Sequence, residues 1–176
     1  VEIDAVVPFD RIVGWPGDGA ASNDEAIDPL AMLMYAWSYN GLGLACIDVA
    51  KSHVTRKAHV QYARRVADYP TIQDSFGRAV MEGQASRLYA YALAKALDDA
   101  TENGSWEIYY KDPKAMPRAK FAVWAFQAKF LSTRFSYEVS DKMLATCGGR
   151  GYMADLGLER LVRDSKAGWI MGPSNE

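Results

Sequence analysis

Between residues 28 and 146 apolar residues recur at helical spacing in three long runs with few turn formers between them, a pattern that leaves the chain little choice but to pack helix on helix. The first run opens where Asp28, read as an acidic N-cap, precedes Pro29, and it continues through Leu30, Leu33, Trp37, Gly41, Leu44 and Val49 to about Arg56. Pro70 opens the second, with Ile72, Phe76, Val80, Gly83, Arg87, Tyr91 and Leu93 on one side until a polar loop at residues 101–105. Pro113 and Pro117 precede the third, in which Phe121, Trp124, Ala128, Leu131, Phe135 and Met143 recur. These side chains are read as core. A shorter helix, about residues 158–167, follows. The expectation is an all-α fold, an antiparallel up-and-down helical bundle with a short β-strand remnant at the N-terminus. Residues 6–9 and 12–14 supply that remnant, and the turn-rich stretch at residues 15–19 marks a boundary. Residues 1–27 are thus read as the end of a preceding β-rich domain and its linker, and residues 28–176 as a C-terminal helical-bundle domain.

Charge and composition narrow the function. A formal charge of −2 over 176 residues, without a face dominated by Lys and Arg, argues against a nucleic-acid binder, although Lys51, Lys57, Arg64 and Arg65 can meet phosphates locally. Residues 29–47 are uncharged and approach the length of a membrane span. Ser38, Tyr39, Asn40, Gly41 and Gly43 interrupt that stretch and Asp48 closes it, so a buried core helix is expected and no membrane span. Cys46 and Cys147 are read as thiols of a reducing compartment, with the cytoplasm as the default. Glu2 and Asp4 fit neither a secretory signal nor a transit peptide, and the chain reads as a piece of a longer one. His53 and His59 are six apart, off the i, i+4 spacing of a helical metal pair, so no metal is expected.

The chemistry gathers near the end of the sequence. There the order runs Cys147-Gly148-Gly149-Arg150-Gly151-Tyr152, Leu158-Glu159-Arg160, Arg163-Asp164 and Met171-Gly172-Pro173-Ser174-Asn175-Glu176. Paired glycines after a long helix allow positive φ and a close approach of a ligand to the main chain, or simply end the helix. The order and spacing resemble the carboxyl-terminal half of the acyl-CoA dehydrogenase family. In that family the glycine turn lies against FAD, which implies a cofactor role for Gly148 and Gly149. The resemblance extends through His59-Val60-Gln61-Tyr62-Ala63, where the family has Arg-x-x-Phe-Gly and its arginine pairs with the FAD pyrophosphate. His59 and Tyr62 therefore take cofactor positions, His59 without a fixed charge or a guanidinium fork. Its alternative reading is a solvent-facing histidine at a helix end. Ala145 stands where the family commonly has a glutamine that holds the nucleotide, and Ser174 and Asn175 stand where it contacts the adenine end of FAD.

The family's general base is a glutamate in a Glu-Gly-Thr turn, and Met171-Gly172-Pro173 holds those places here. Methionine cannot accept a proton, and the alternative base position of some family members falls on Leu33, which does not titrate. Glu25 and Asp28 are remote candidates, Asp28 being better explained as the helix cap. No catalytic residue is identified. Met34, Ile170, Met171 and Gly172 are expected to line the reacting end of the substrate. Glu159 with Arg160 and Arg163 with Asp164 are read as structural ion pairs.

The resemblance implies FAD-dependent α,β-desaturation of an acyl-CoA thioester by a homo- or hetero-oligomer, a dimer or tetramer, that passes electrons to an acceptor protein. The departures at His59, Ala145, Met171 and Pro173 imply one subunit of a heteromeric enzyme whose partner supplies intact flavin half-sites and glutamates. Two alternatives remain: a related flavin-dependent monooxygenase or other non-desaturating flavoenzyme, which residues 62–70 resemble, and a non-catalytic scaffold subunit.

Overall fold

A computed structural model describes residues 2–12, 16–17, 19–101 and 118–175. Three long helices, α1 (Asp28–Arg56), α2 (Pro70–Thr101) and α3 (Ala122–Thr146), are followed by one turn of helix, α4 (Gly149–Tyr152), and by α5 (Leu158–Ile170). Between α1 and α2 lies a two-stranded antiparallel ribbon, β1 (Ala58–His59) and β2 (Arg64–Arg65), with Ala58 opposite Arg65.

The direction of each helix follows from two apolar clusters. One joins Cys46, Ile47, Ala50 and Val54 of α1 to Ala79 of α2, to Phe135, Val139 and Met143 of α3, and to Leu158 of α5. The other joins Met32 and Ala36 of α1 to Ala90, Leu93 and Leu97 of α2 and to Ala125 and Ala128 of α3. Residue numbers rise from the second cluster to the first along α1 and α3 and fall along α2, so the long helices run up, down and up. Starting from Leu158, α5 descends beside α3. The expected up-and-down bundle is therefore what the chain forms.

Between the clusters the interior is polar. Asn40, Ser86, Lys129, Ser132, Thr133, Ser136, Ser140 and Ser165 are all buried, and the Ser140 and Ser165 hydroxyls share a hydrogen bond of 2.7 Å between α3 and α5. The helices approach closely there. A Cβ at Gly43 would lie 2.5 Å from Cε1 of Phe135, and one at Gly83 would lie 2.9 Å from Cζ of the same ring.

Several expectations need correction. Asp28 is not an N-cap: it has helical angles, φ −62° and ψ −50°, because helix already runs from Gly19 through a π-helical turn, Asn23–Ile27. The wider turn accommodates Pro29, which lacks an N–H and crowds the carbonyl one turn back. Residues 6–8 form no strand, and residues Phe9–Arg11 form a 3₁₀ turn instead. Val6 is 99% exposed, since a strand needs a neighbour to pair with and none is present among the described residues. The last helix continues three residues past the expected end, to Ile170. The continuous helix Gly19–Arg56 is 38 residues long and apolar enough to cross a membrane, but the bundle packs its Met32, Ala36, Ala50 and Val54 as core. Residues 13–15 and 18, the polar loop beyond Thr101, and Pro113, Pro117 and Glu176 lie outside the described residues.

Candidate functional site

The end of α1, the ribbon and the turn after α3 meet at one end of the bundle. Lys57 closes α1 by donating its N–H to the His53 carbonyl at 2.9 Å, and the chain turns out into β1. A 3₁₀ turn, Val60–Tyr62, and Ala63 at φ 48° reverse it into β2. Asp68 braces the return, accepting from the Arg65 backbone N–H at 2.9 Å and from its guanidinium at 2.8 Å. Those bonds hold the Asp68 carboxyl below its ordinary range.

Opposite the ribbon, α3 ends at Thr146 and the chain turns through Gly148, with φ 59° and ψ −148°. That conformation is open to glycine and strained for side chains, and a Cβ there would meet nothing within 4 Å, so the backbone faces open space.

A cavity of about 810 Å³ separates ribbon from turn. His59, Tyr62, Gly148 and Gly149, expected at a cofactor from two distant stretches, all line it, together with Ala145. The remaining wall includes Val66, Tyr69, Thr71, Ile72, Thr146 and Cys147. His59 Nδ1 and the Tyr69 hydroxyl share a hydrogen bond of 3.1 Å, which fixes the ring. His59 thus packs between Tyr62 and Tyr69, with ring centroids 6.4 and 5.7 Å away, rather than pointing freely into solvent.

His53, Lys57 and Arg150 also line the cavity, and among the described residues none that lines it is a carboxylate. Arg150 pairs with Asp155 just outside. Burial first, and then the charges of Arg150, Lys57 and Arg56, push the His53 pKa below its usual value, with Asp155 opposing. The site is therefore a basic, partly aromatic hollow beside an open stretch of backbone. Its chemistry suits a polyanion with a stacking ring.

Of the other expected positions, Ile170 ends α5, and Met171, Gly172, Ser174 and Asn175 lie on the turn after it. Ile170, Met171 and Gly172 are contiguous there, Ile170 being 66% exposed. Met34 projects from α1 and is 69% exposed, while Leu33 packs against the Met32 and Ala36 cluster as core. Ser174 is exposed. Asn175 turns inward: its Oδ1 accepts from Lys129 Nζ at 2.9 Å, and its Nδ2 donates to Thr133 Oγ1 at 2.9 Å and to the Phe130 carbonyl at 3.3 Å. Its amide thus ties the turn to Lys129, Phe130 and Thr133 of α3.

Glu159 and Arg163 pair across a helical turn at 3.2 Å, in place of the expected adjacent pairs. Neighbouring residues on a helix point apart. Glu25, weighed as a remote base, is buried and accepts from the Arg118 and Ala119 backbone N–H groups at 3.0 and 3.2 Å. Burial raises its pKa, although those two bonds oppose the shift.

Sequence reasoning missed Lys129 and the role of His53 and Arg150. The signal for Lys129 was available, since it is the sole charge between Ala122 and Thr133. His53 gave no such signal, because its place in the hollow depends on the turn after α3.

Residues 31–176 match the family described as acyl-CoA dehydrogenase, C-terminal domain. Cyclohex-1-ene-1-carbonyl-CoA dehydrogenase of Geobacter metallireducens is 25% identical over 170 residues, 97% of this chain and 40% of that protein. Glutaryl-CoA dehydrogenase of Desulfococcus multivorans is 25% identical over 159 residues, 90% of this chain and 36% of that protein. The chain thus spans well under half the length of these relatives. Among solved structures, the complex of glutaryl-coenzyme A dehydrogenase with glutaryl-CoA superposes with a TM-score of 0.79 at 23% identity, covering 96% of this chain and 38% of that one, and it supports the fold. With the family match over residues 31–176 added to the bundle and its glycine turn, the chain belongs to the acyl-CoA dehydrogenase family, of which it carries the C-terminal domain.

Proposed function

We propose that the chain works as part of an FAD-dependent enzyme that oxidises an acyl-CoA thioester between its α and β carbons. The observation that carries this reading is the convergence of His59, Tyr62, Gly148 and Gly149 on one hollow whose described lining holds no carboxylate. The residues fit the group. Lys57, Arg150 and the two histidines suit a pyrophosphate, Tyr62 offers a ring face, and the Gly148 backbone is uncovered. When bound, FAD supplies the acceptor for the hydride that leaves the β carbon.

The chain's own contribution is orientation and charge. His59, held by Tyr69, presents a fixed ring, although it lacks the bidentate fork of an arginine. Ala145, on the same wall, offers no polar atom beyond its backbone. Met171 holds the family's base position with a thioether, so the α-proton must pass to a carboxylate outside these residues. A partner subunit that supplies that carboxylate and completes the flavin site accounts for all of these departures. The assembly is then a hetero-oligomer, with a separate protein as electron acceptor.

Rapid mixing of butyryl-CoA with the full-length protein, first saturated with FAD as judged by bound-flavin absorbance, tests the assignment. Met171→Glu should speed flavin bleaching by about 10²–10⁴-fold, the usual worth of a positioned base. An unchanged or slower rate would remove Met171 from the base position and favour a reaction that needs no α-proton transfer, such as oxygen activation by reduced flavin.

A further inference from the structure

Midway along the three long helices, polar side chains come together and stay unmatched. Asn40 of α1 lies between Ala36 and Gly43, Ser86 of α2 between Gly83 and Ala90, and Ser132 of α3 between Ala128 and Phe135. Ala36, Ala90 and Ala128 belong to one apolar cluster, while a Cβ at Gly43 or at Gly83 would meet the Phe135 ring, so the three polar residues share one cross-section between those two levels. Asn40, Ser86 and Ser132 are buried, with 1%, 2% and 0% of their surface exposed. Neither Oδ1 nor Nδ2 of Asn40 has a hydrogen-bond partner among the described residues, and Ser86 Oγ has none either. Ser136 Oγ, one turn further along α3, is buried and unmatched in the same way.

A buried amide or hydroxyl without a partner is costly. One turn away on each helix the chain uses Ala36, Ala90 and Ala128, so close packing alone does not call for polar groups at this level. The layer is also built from small side chains. On one side of it Phe135 fills the space between Gly43 and Gly83, and on the other Met32, Leu93 and Leu97 pack around the three alanines. Between them the section is spanned by an asparagine and two serines. Polar lining, small bulk and about two to four bonding partners are what a buried water needs. Ser132 Oγ donates to the Lys129 carbonyl at 2.9 Å and keeps lone pairs with which to accept.

We propose that this cross-section is an internal hydration site, holding at least one ordered water bonded to the Asn40 amide and the Ser86 hydroxyl. The water accepts from Asn40 Nδ2 and donates to Ser86 Oγ, and Ser132 Oγ offers it a third contact. It thereby joins α1, α2 and α3 at the level where their side chains are too short to fill the interior. The site involves no cofactor, substrate or partner subunit, so it stands or falls apart from the proposed flavin chemistry.

High-resolution diffraction from crystals of the full-length protein provides the test. A water peak is expected within about 2.7–3.2 Å of both Asn40 Nδ2 and Ser86 Oγ, the same in every copy of the chain. An Asn40 amide bonded directly to Ser86 or Ser132, with no such peak, would overturn the proposal. Oxygen-17 relaxation dispersion of the solvent gives a second reading in solution, because it counts long-lived internal waters and is blind to hydroxyl protons. Asn40→Leu combined with Ser86→Ala removes both assigned partners and should lower that count by one or more per chain relative to the unaltered protein. An unchanged count in the folded double variant would contradict the assignment. Should the double variant fail to fold, the diffraction result on the unaltered protein decides the matter alone.

Discussion

At the scale of single residues the bundle is set by what is small. The buried face of α1 is Met32, Ala36, Asn40, Gly43, Ile47, Ala50 and Val54, one step around the helix from the row of large side chains that the sequence emphasises. Leu30, Val80, Tyr91 and Leu131, read as core, are exposed. Close approach of helices selects Ala, Gly and Ser, whose periodicity a hydrophobicity pattern hardly registers. Phe135 was legible as core, but its two glycine sockets were not, since each lies on a different helix. Gly43→Ala should cost about 1–3 kcal/mol of stability in urea unfolding, and Phe135→Leu in the same chain should recover part of that loss. Strictly additive costs would show that the ring does not fill both sockets. The cysteines give a chemical check. Burial pushes the Cys46 thiol up to about 12 and raises Cys147 as well. Both should resist a thiol-disulfide reagent at pH 8 in the native protein and react fully in denaturant; rapid native labelling would contradict the packing of either residue.

At the scale of elements, helix ends marked by proline or by loss of periodicity were readable, and those decided by tertiary contact were not. Pro70 starts α2 and α1 ends at Arg56, as the pattern requires. The helix before Asp28 was missed because its anchor, the Glu25 carboxylate on the Arg118 and Ala119 N–H groups, spans most of the sequence. The ribbon at Ala58–His59 is too short to leave an alternation. At the same end of the bundle, burial and then the charges of Arg150, Lys57 and Arg56 depress the pKa of His53. The unfolded chain protonates this residue first as pH falls, so its neutral form contributes stability above its ordinary value of 6.5 that is lost as pH falls through the folded value. His53→Gln should therefore flatten the fall in unfolding temperature between about pH 7 and pH 5. Inorganic pyrophosphate, by offsetting Lys57, Arg56 and Arg150, should raise the His53 titration midpoint seen by NMR. An unmoved midpoint would mean that no polyanion enters the hollow.

At the scale of the whole molecule, two apolar clusters clasp a polar middle, and the hollow and the turn after α5 lie at different levels of the bundle. The hollow sits where α1 ends and α3 turns, close to the Cys46 and Met143 cluster. The turn at residues 171–175 is tied to the polar middle through Lys129. The glycine turn was legible because it is a local string, whereas the basic hollow and the Lys129 anchor arise only when distant segments meet. On the proposed reading, this chain holds FAD too weakly by itself and completes its flavin site with a partner. The visible absorption spectrum of the full-length chain, purified without any partner, tests it most directly. A nearly colourless protein that gains an oxidised-flavin spectrum with a companion subunit is expected; a stoichiometric flavin spectrum in the chain alone would overturn that reading.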